Sequence, residues 1–162
     1  MTLPELAGRS DLFEAPESLY IHIPFCSSRC GYCDFHSFAE GRGAREGGAY
    51  VQALLSRADA LKKSMAKPLK TLYVGGGTPT ALPTDEFRRL LEGLFQFFGS
   101  SLSEWTVEAN PESLSQEKLA VMIDAGVNRL SIGIQSMDES ELEILGRNAR
   151  RVDNEKALDL AR

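Results

Sequence analysis

"YIHIPFCSSRCGYCDFHSF", residues 20–38, holds every cysteine of a 162-residue chain, at the spacing Cys26-x3-Cys30-x2-Cys33. The run that leads into it, SLYIHIPF (18–25), alternates. Leu19, Ile21, Ile23 and Phe25 point one way and Tyr20, His22 and Pro24 the other, the period-two pattern of a strand. Pro24 lacks an amide donor and suits the strand's end. A strand therefore runs directly into a loop that gathers all the thiols.

Working outward, the strand pattern recurs with helices between. GRGAREGG (41–48) reads as a flexible joint. A helix is expected over 48–66, where Val51, Leu54, Leu55, Ala58, Leu61 and Met65 recur at helical spacing. KTLYVGGG (70–77) is the second expected strand. Residues 85–98 form a helix with Thr84 as N-cap and Gly99 closing it. EWTVEAN (104–110) is the third strand, and Ser115 caps a helix to about 124. RLSIGIQS (129–136) is the fourth strand, and helices are expected near 138–146 and 153–161. Residues 1–17 read as a loose lead-in and 18–162 as one α/β core.

This β-α-β-α-β-α-β-α order implies parallel strands joined by right-handed crossovers, either an open sheet or part of a (βα) barrel. In both, functional residues gather where strands end. The cysteines follow strand one, Gly75-Gly76-Gly77 ends strand two, Glu108-Ala109-Asn110 ends strand three and Gln135 ends strand four. All four points fall on one rim.

Composition bounds the partners. Hydrophobic residues at 43% and charged residues at 25% are ordinary for a globular domain. A net charge of −5 argues against a nucleic-acid partner, which wants a basic stripe. The basic run Arg147 to Arg151 reads as a helix end. No apolar stretch reaches the roughly 20 residues of a membrane span. The N-terminus lacks the basic start and apolar run of a secretory signal, so a cytoplasmic location is expected. Thiols stay reduced there, and three clustered thiols then suggest metal or redox chemistry.

Thiolates suit zinc or iron–sulfur clusters. A zinc module would need a fourth ligand, for which His36 is near in sequence, but C-x3-C-x2-C-x2-H is not a usual zinc spacing. Three unrelated buried cysteines are the bland alternative. A 4Fe–4S cluster ordinarily takes four cysteines. With three, one iron stays open for a small molecule.

CSSRCGYC matches the C-x3-C-x2-C signature of the radical S-adenosylmethionine (SAM) superfamily. YIHIPFC, YCDF, GGGTPT (75–80), VEANP (107–111) and SIGIQS (131–136) follow in order. Together they resemble the oxygen-independent coproporphyrinogen III oxidase-like group. The resemblance implies a TIM-type partial barrel, a 4Fe–4S cluster on Cys26, Cys30 and Cys33, and SAM chelated to the open iron. In that family an electron from the cluster cleaves SAM to methionine and a 5′-deoxyadenosyl radical. The electron donor implied is a flavodoxin or ferredoxin. By the same resemblance Gly76 and Gly77, with Thr78 adjacent, receive the SAM amino group, and Glu108 and Gln135 attend the ribose. Arg147 meets the SAM carboxylate and Tyr32 packs on the adenine. Tyr20 and His22 share a strand face, which should line the barrel near the cluster.

True coproporphyrinogen dehydrogenases carry a further cysteine two residues past the third ligand, where this chain has Phe35. The CDF form resembles the haem-chaperone branch, which implies haem or a porphyrin as partner. Decarboxylation of coproporphyrinogen is the alternative. Ala149 stands where the group commonly has a histidine. Family members are longer, so the chain is expected to form four βα units of a barrel, truncated and without the C-terminal domain. An inactive fragment is a further expectation to test.

Overall fold

A computed structural model describes residues 16–39 and 41–162. The lead-in expected over 1–17 lies outside the described residues except for its last two positions. Glu17 already belongs to the sheet's margin. Its carbonyl accepts from Lys70 N at 2.6 Å and its carboxylate pairs with Lys70 Nζ at 2.7 Å.

Four strands form one parallel sheet in chain order: β1 (Ser18–Ile23), β2 (Thr71–Gly76), β3 (Glu104–Ala109) and β4 (Arg129–Ile132). Between and after them run α1 (Arg42–Ser64), α2 (Thr84–Phe98), α3 (Gln116–Ala125), α4 (Glu139–Ile144) and α5 (Arg151–Leu160). The registers Tyr20↔Tyr73↔Thr106↔Arg129 and Ile21↔Val74↔Val107↔Leu130 place these residues side by side across the sheet. Four parallel strands in sequential order make a partial barrel.

The sheet's two faces differ as the alternation requires. Ile21, Ile23, Leu72, Val74, Trp105 and Val107 are buried on the side that carries the helices. Phe87, Leu90, Leu91, Leu94 and Phe98 supply the buried stripe of α2. Full burial of one such side chain contributes about 1.5–3 kcal/mol. The opposite face carries Tyr20, His22, Tyr73, Thr106, Glu108 and Arg129, a polar row that leads up to the rim.

Three local expectations need correction. GRGAREGG is no flexible joint: α1 begins at Arg42 and runs through it. A Cβ on Gly43 would meet Phe25 Cβ and the Ala81 carbonyl at 3.3 Å, and one on Gly47 would meet Leu82 Cδ2 at 2.8 Å. These glycines let the helix lie close against the β2–α2 loop, and that contact outweighs their poor helix propensity. Gly47→Val should therefore cost about 1–3 kcal/mol by overpacking. Chemical denaturation checks this; a stability gain would restore the joint.

Thr84 is the first residue of α2, not its cap; Pro83 holds the cap position and no side chain caps the turn. Ser115, by contrast, caps α3 as expected, accepting from Lys118 N at 3.2 Å.

β4 ends at Ile132 rather than near 136. Gly133 N makes the last ladder bond, to Ala109 O at 2.9 Å. The chain then turns sharply, with Ile134 N on Ile132 O and Ser136 N on Ile134 O. Gln135 is the one non-glycine residue with positive φ (65°) among the described residues. Arg150 and Arg151 stand at the N-terminal end of α5, a helix end as expected, and both pair with acids, Glu139 and Glu155 respectively.

Candidate cofactor site

The cysteine loop is fixed at both ends and in its middle. Cys26 N donates to Phe38 O (2.9 Å) and Phe38 N to Pro24 O (2.7 Å), closing the loop as a short parallel bridge. Gly31 N reaches Leu145 O at 3.2 Å, and Ser27 Oγ donates to Glu112 at 3.0 Å. All three cysteines are free and half-buried. They line one cavity of about 320 Å³ at the C-terminal ends of the strands.

The glycine turn closes that cavity from below. Gly77 N donates to Ile23 O and Thr78 N to Phe25 O, docking the β2 end under the cysteine loop. A Cβ on Gly77 would sit 2.7 Å from the Phe25 carbonyl oxygen and 2.9 Å from Cys26 Sγ. Gly76 has φ +113°, and a Cβ there would strike the His22 ring at 2.6 Å. Glycine is thus required at both positions. Thr78, itself buried, points its hydroxyl at Cys26 Sγ, 3.8 Å away. Burial pushes the Cys26 thiol up, and the Thr78 and Ser37 hydroxyls pull back against that.

Arg147 forms the far wall. It is 8% exposed, not the solvated helix arginine that its local sequence suggests. Its Nη2 donates to Asn110 Oδ1 (3.0 Å) and Gly133 O (2.8 Å), and its Nη1 to Cys30 Sγ (3.3 Å). Nε is buried with no partner. Burial opposes the charge, but the Cys30 sulfur and Glu112 outweigh it and hold the guanidinium above its ordinary value.

Glu108 receives Tyr73 OH on Oε1 at 2.6 Å and Gly76 N on Oε2 at 3.1 Å. Gln135 and Tyr32 complete the lining, with Phe35 exposed beside them. Burial, opposed by Arg147, raises the Tyr32 phenol.

Of the residues read from the sequence, Cys26, Cys30, Cys33, Tyr32, Gly76, Gly77, Thr78, Glu108, Gln135 and Arg147 meet at this one cavity. Tyr20 does not. It stacks on Tyr73 (6.0 Å, 29°) and bonds His22 Nδ1 at 3.2 Å, one step down the strand. His36, offered as a fourth zinc ligand, lines a separate cavity with Phe25, Phe38 and Tyr50. Among the described residues no three His, Cys, Asp or Glu side chains group as a single-ion site.

Sequence reasoning missed two residues that hold the others. Asn110 accepts from Arg147 and donates to Thr78 Oγ1 at 3.0 Å, tying the arginine to the glycine turn. It was visible inside VEANP but gave no chemical signal of its own. Asn154 is fully buried, and its Nδ2 donates to Ile134 O (3.2 Å) and Ser136 O (2.7 Å), the carbonyls on either side of Gln135. Nothing in the local sequence singles it out, because its partners are backbone groups of a distant turn.

Three soft sulfur donors, a glycine cradle and an unpartnered buried guanidinium N–H share this rim. Fold and site together define an α/β partial-barrel protein whose strand ends gather three thiols suited to an iron–sulfur cluster, with a guanidinium suited to a carboxylate beside them. The chain belongs to the radical SAM superfamily, whose model matches residues 20–162. Membership implies SAM and a 4Fe–4S cluster, and the donor set fits both.

The chain is 40% identical over 150 residues to heme chaperone HemW of Bacillus subtilis, covering 90% of this chain and 39% of that protein. It is 38% identical over 146 residues to the mitochondrial radical S-adenosyl methionine domain-containing protein 1 of Mus musculus, covering 90% of this chain and 33% of that one. Among solved structures it is similar to coproporphyrinogen III oxidase (HemN) of Escherichia coli, a radical SAM enzyme. The TM-score is 0.79 and the identity 28%, over 91% of this chain and 34% of that one. The chain thus spans well under half the length of these relatives. No helix among the described residues is long and apolar enough to cross a membrane.

Proposed function

We propose that this chain is the cluster- and SAM-binding portion of a haem-chaperone-like radical SAM protein. The observation that carries this reading is the convergence of Cys26, Cys30, Cys33, Gly77, Glu108 and Arg147 on one cavity. Residues 18–162 constitute the radical SAM core in this reading. Cys26, Cys30 and Cys33 would hold the cluster, leaving one iron without a protein ligand. When bound, cluster and SAM supply one-electron cleavage of the sulfonium.

The remaining work belongs to the chain's own groups. Arg147 is held at Nη2 by Asn110 and Gly133, which fixes its guanidinium on the cavity wall, where it would meet a carboxylate. The absence of Cβ at Gly77 lets the cysteine loop dock on the β2 end, so that the Gly76-Gly77 backbone would stand beside the ligand's amino group. Glu108 keeps lone pairs for ribose hydroxyls. Gln135 and Tyr32 would close on the nucleoside. A flavodoxin or ferredoxin would donate the electron, in a cytoplasmic setting.

Haem is the proposed cargo on two grounds: the 40% identity to a heme chaperone and the presence of Phe35 in place of a further cysteine. SAM-dependent oxidation of a porphyrinogen is the second reading, favoured by the HemN-like fold at TM-score 0.79. Anaerobically reconstituted protein should bind SAM and, with dithionite, release 5′-deoxyadenosine. A haem titration and a coproporphyrinogen assay then separate the two cargo readings. A folded, cluster-loaded sample that neither binds nor cleaves SAM overturns the proposal.

Arg147→Ala should leave the iron content intact while weakening SAM binding by about tenfold or more, the size of a lost charge-assisted hydrogen bond. Iron analysis and SAM titration on the same sample check it. Loss of iron instead would give Arg147 to the cluster rather than to SAM.

A further inference from the structure

On the polar face of the sheet lies a contact that the cofactor reading leaves unused. Tyr73 OH donates to Glu108 Oε1 at 2.6 Å, while Gly76 N holds Oε2. We infer that Tyr73 is a positioning residue that sets the Glu108 carboxylate for the ribose of SAM. The inference depends on Glu108 acting as a ribose ligand, as proposed above.

Three features make the contact more than incidental. First, the meeting place is kept clear. Gly75 separates Tyr73 from the turn, and a Cβ on it would lie 2.6 Å from Glu108 Oε2 and 2.8 Å from Tyr73 Cε1. Only a residue without a side chain lets the phenol and the carboxylate close over β2. Second, the phenol is itself braced. Tyr20 and Tyr73 are register partners and their rings stack at 6.0 Å. Third, the bond does not use up the carboxylate. An ionised carboxylate has about four lone-pair sites. Tyr73 and Gly76 N take one on each oxygen, which leaves one on each for a pair of adjacent hydroxyls.

A glutamate at a strand end otherwise has three free torsions to order when a ligand arrives. With Tyr73 and Gly76 already holding both oxygens, that ordering is complete before SAM binds, and the ribose meets a fixed acceptor pair. Tyr73 does not touch the ligand in this scheme; it acts only through Glu108.

Tyr73→Phe keeps the stacked ring and removes only the hydroxyl. In cluster-loaded protein it should weaken SAM binding about tenfold, with iron content and unfolding midpoint unchanged. Glu108→Gln should weaken SAM at least as much, and adding Tyr73→Phe to it should cost nothing further. Tyr20→Phe, whose hydroxyl bonds His22 and not Glu108, should leave SAM affinity unchanged. Unaltered SAM affinity in Tyr73→Phe, an additive double variant, or an equal loss in Tyr20→Phe each overturns the inference. If Glu108→Gln alone binds SAM normally, the ribose role of Glu108 falls and this inference falls with it. If Glu108→Gln fails but Tyr73→Phe binds normally, only the positioning role is lost.

Discussion

Replacing Cys30 with Ala should reduce iron and acid-labile sulfide to background after anaerobic reconstitution, while the apo chain keeps its fold. The reason lies in the count and the placement. Three thiolates are already one fewer than an iron–sulfur cluster ordinarily takes. Removing one leaves two on the lining of a cavity of about 320 Å³, and nothing else on that lining replaces a soft donor. Cys30 is also the sulfur that Arg147 Nη1 touches at 3.3 Å, so its loss leaves that side of the guanidinium without an acceptor. The fold should survive because Cys30 is only half-buried and lies outside the apolar core. The measurement is paired: iron and sulfide per chain, and far-ultraviolet circular dichroism of the apo protein. Full iron retention would remove Cys30 from the ligand set and revive the reading of three unrelated thiols. A chain that fails to fold without metal would instead make the loop part of the scaffold.

The rim could be read from the sequence because strand periodicity and punctuation agree there. Period-two strands that run into a cysteine, a glycine run or a glutamate place three segments on one edge, and the fourth strand brings the turn that follows it to the same edge. The buried face of the sheet was legible for the same reason: Ile21, Ile23, Leu72, Val74 and Val107 alternate as written. Errors cluster where a residue's role is set from far away. GRGAREGG resembles a linker because glycine is both the most flexible residue and the smallest, and sequence alone shows only the first property. Its helix is decided by Leu82 and Phe25, which pack where side chains would otherwise be.

Gln135 fails as a strand terminus for a related reason. Two carbonyl acceptors beside it are held by Asn154 on α5, and that bond stabilises a left-handed turn that a glutamine does not favour alone. Strand alternation puts Tyr20 on the same face as His22 and so towards the cofactor. Alternation fixes the face but not the height, and the register puts Tyr20 beside Tyr73, below the cavity. Buried polar anchors such as Asn110 and Asn154 leave no periodic trace, since one hydrogen-bonding side chain has no pattern to repeat.

Phe87→Ala should lower stability by about 3–5 kcal/mol, the cost of a large cavity in a closed core. Phe87 is fully buried on the inner stripe of α2, together with Leu90, Leu91 and Leu94. α2 in turn lies between α1 and α3, in contact with both, so a void beneath it loosens the layer that covers β2 and β3. Domains of this kind are stable by about 5–15 kcal/mol, so the apo variant should be close to unfolding at moderate temperature. Trp105, the chain's single tryptophan and itself buried in the core, gives a fluorescence signal for guanidinium unfolding. The cofactors should offset part of the loss, because anything that binds only the folded rim shifts the equilibrium towards it. Cluster-loaded Phe87→Ala with SAM present should therefore regain a measurable share of the lost midpoint, while SAM without a cluster should restore less. A loss under about 1 kcal/mol would mean that the helix layer packs more loosely than this geometry requires. Failure of cluster and SAM to raise the midpoint at all would separate the cavity at the strand ends from the folding of the sheet that carries it.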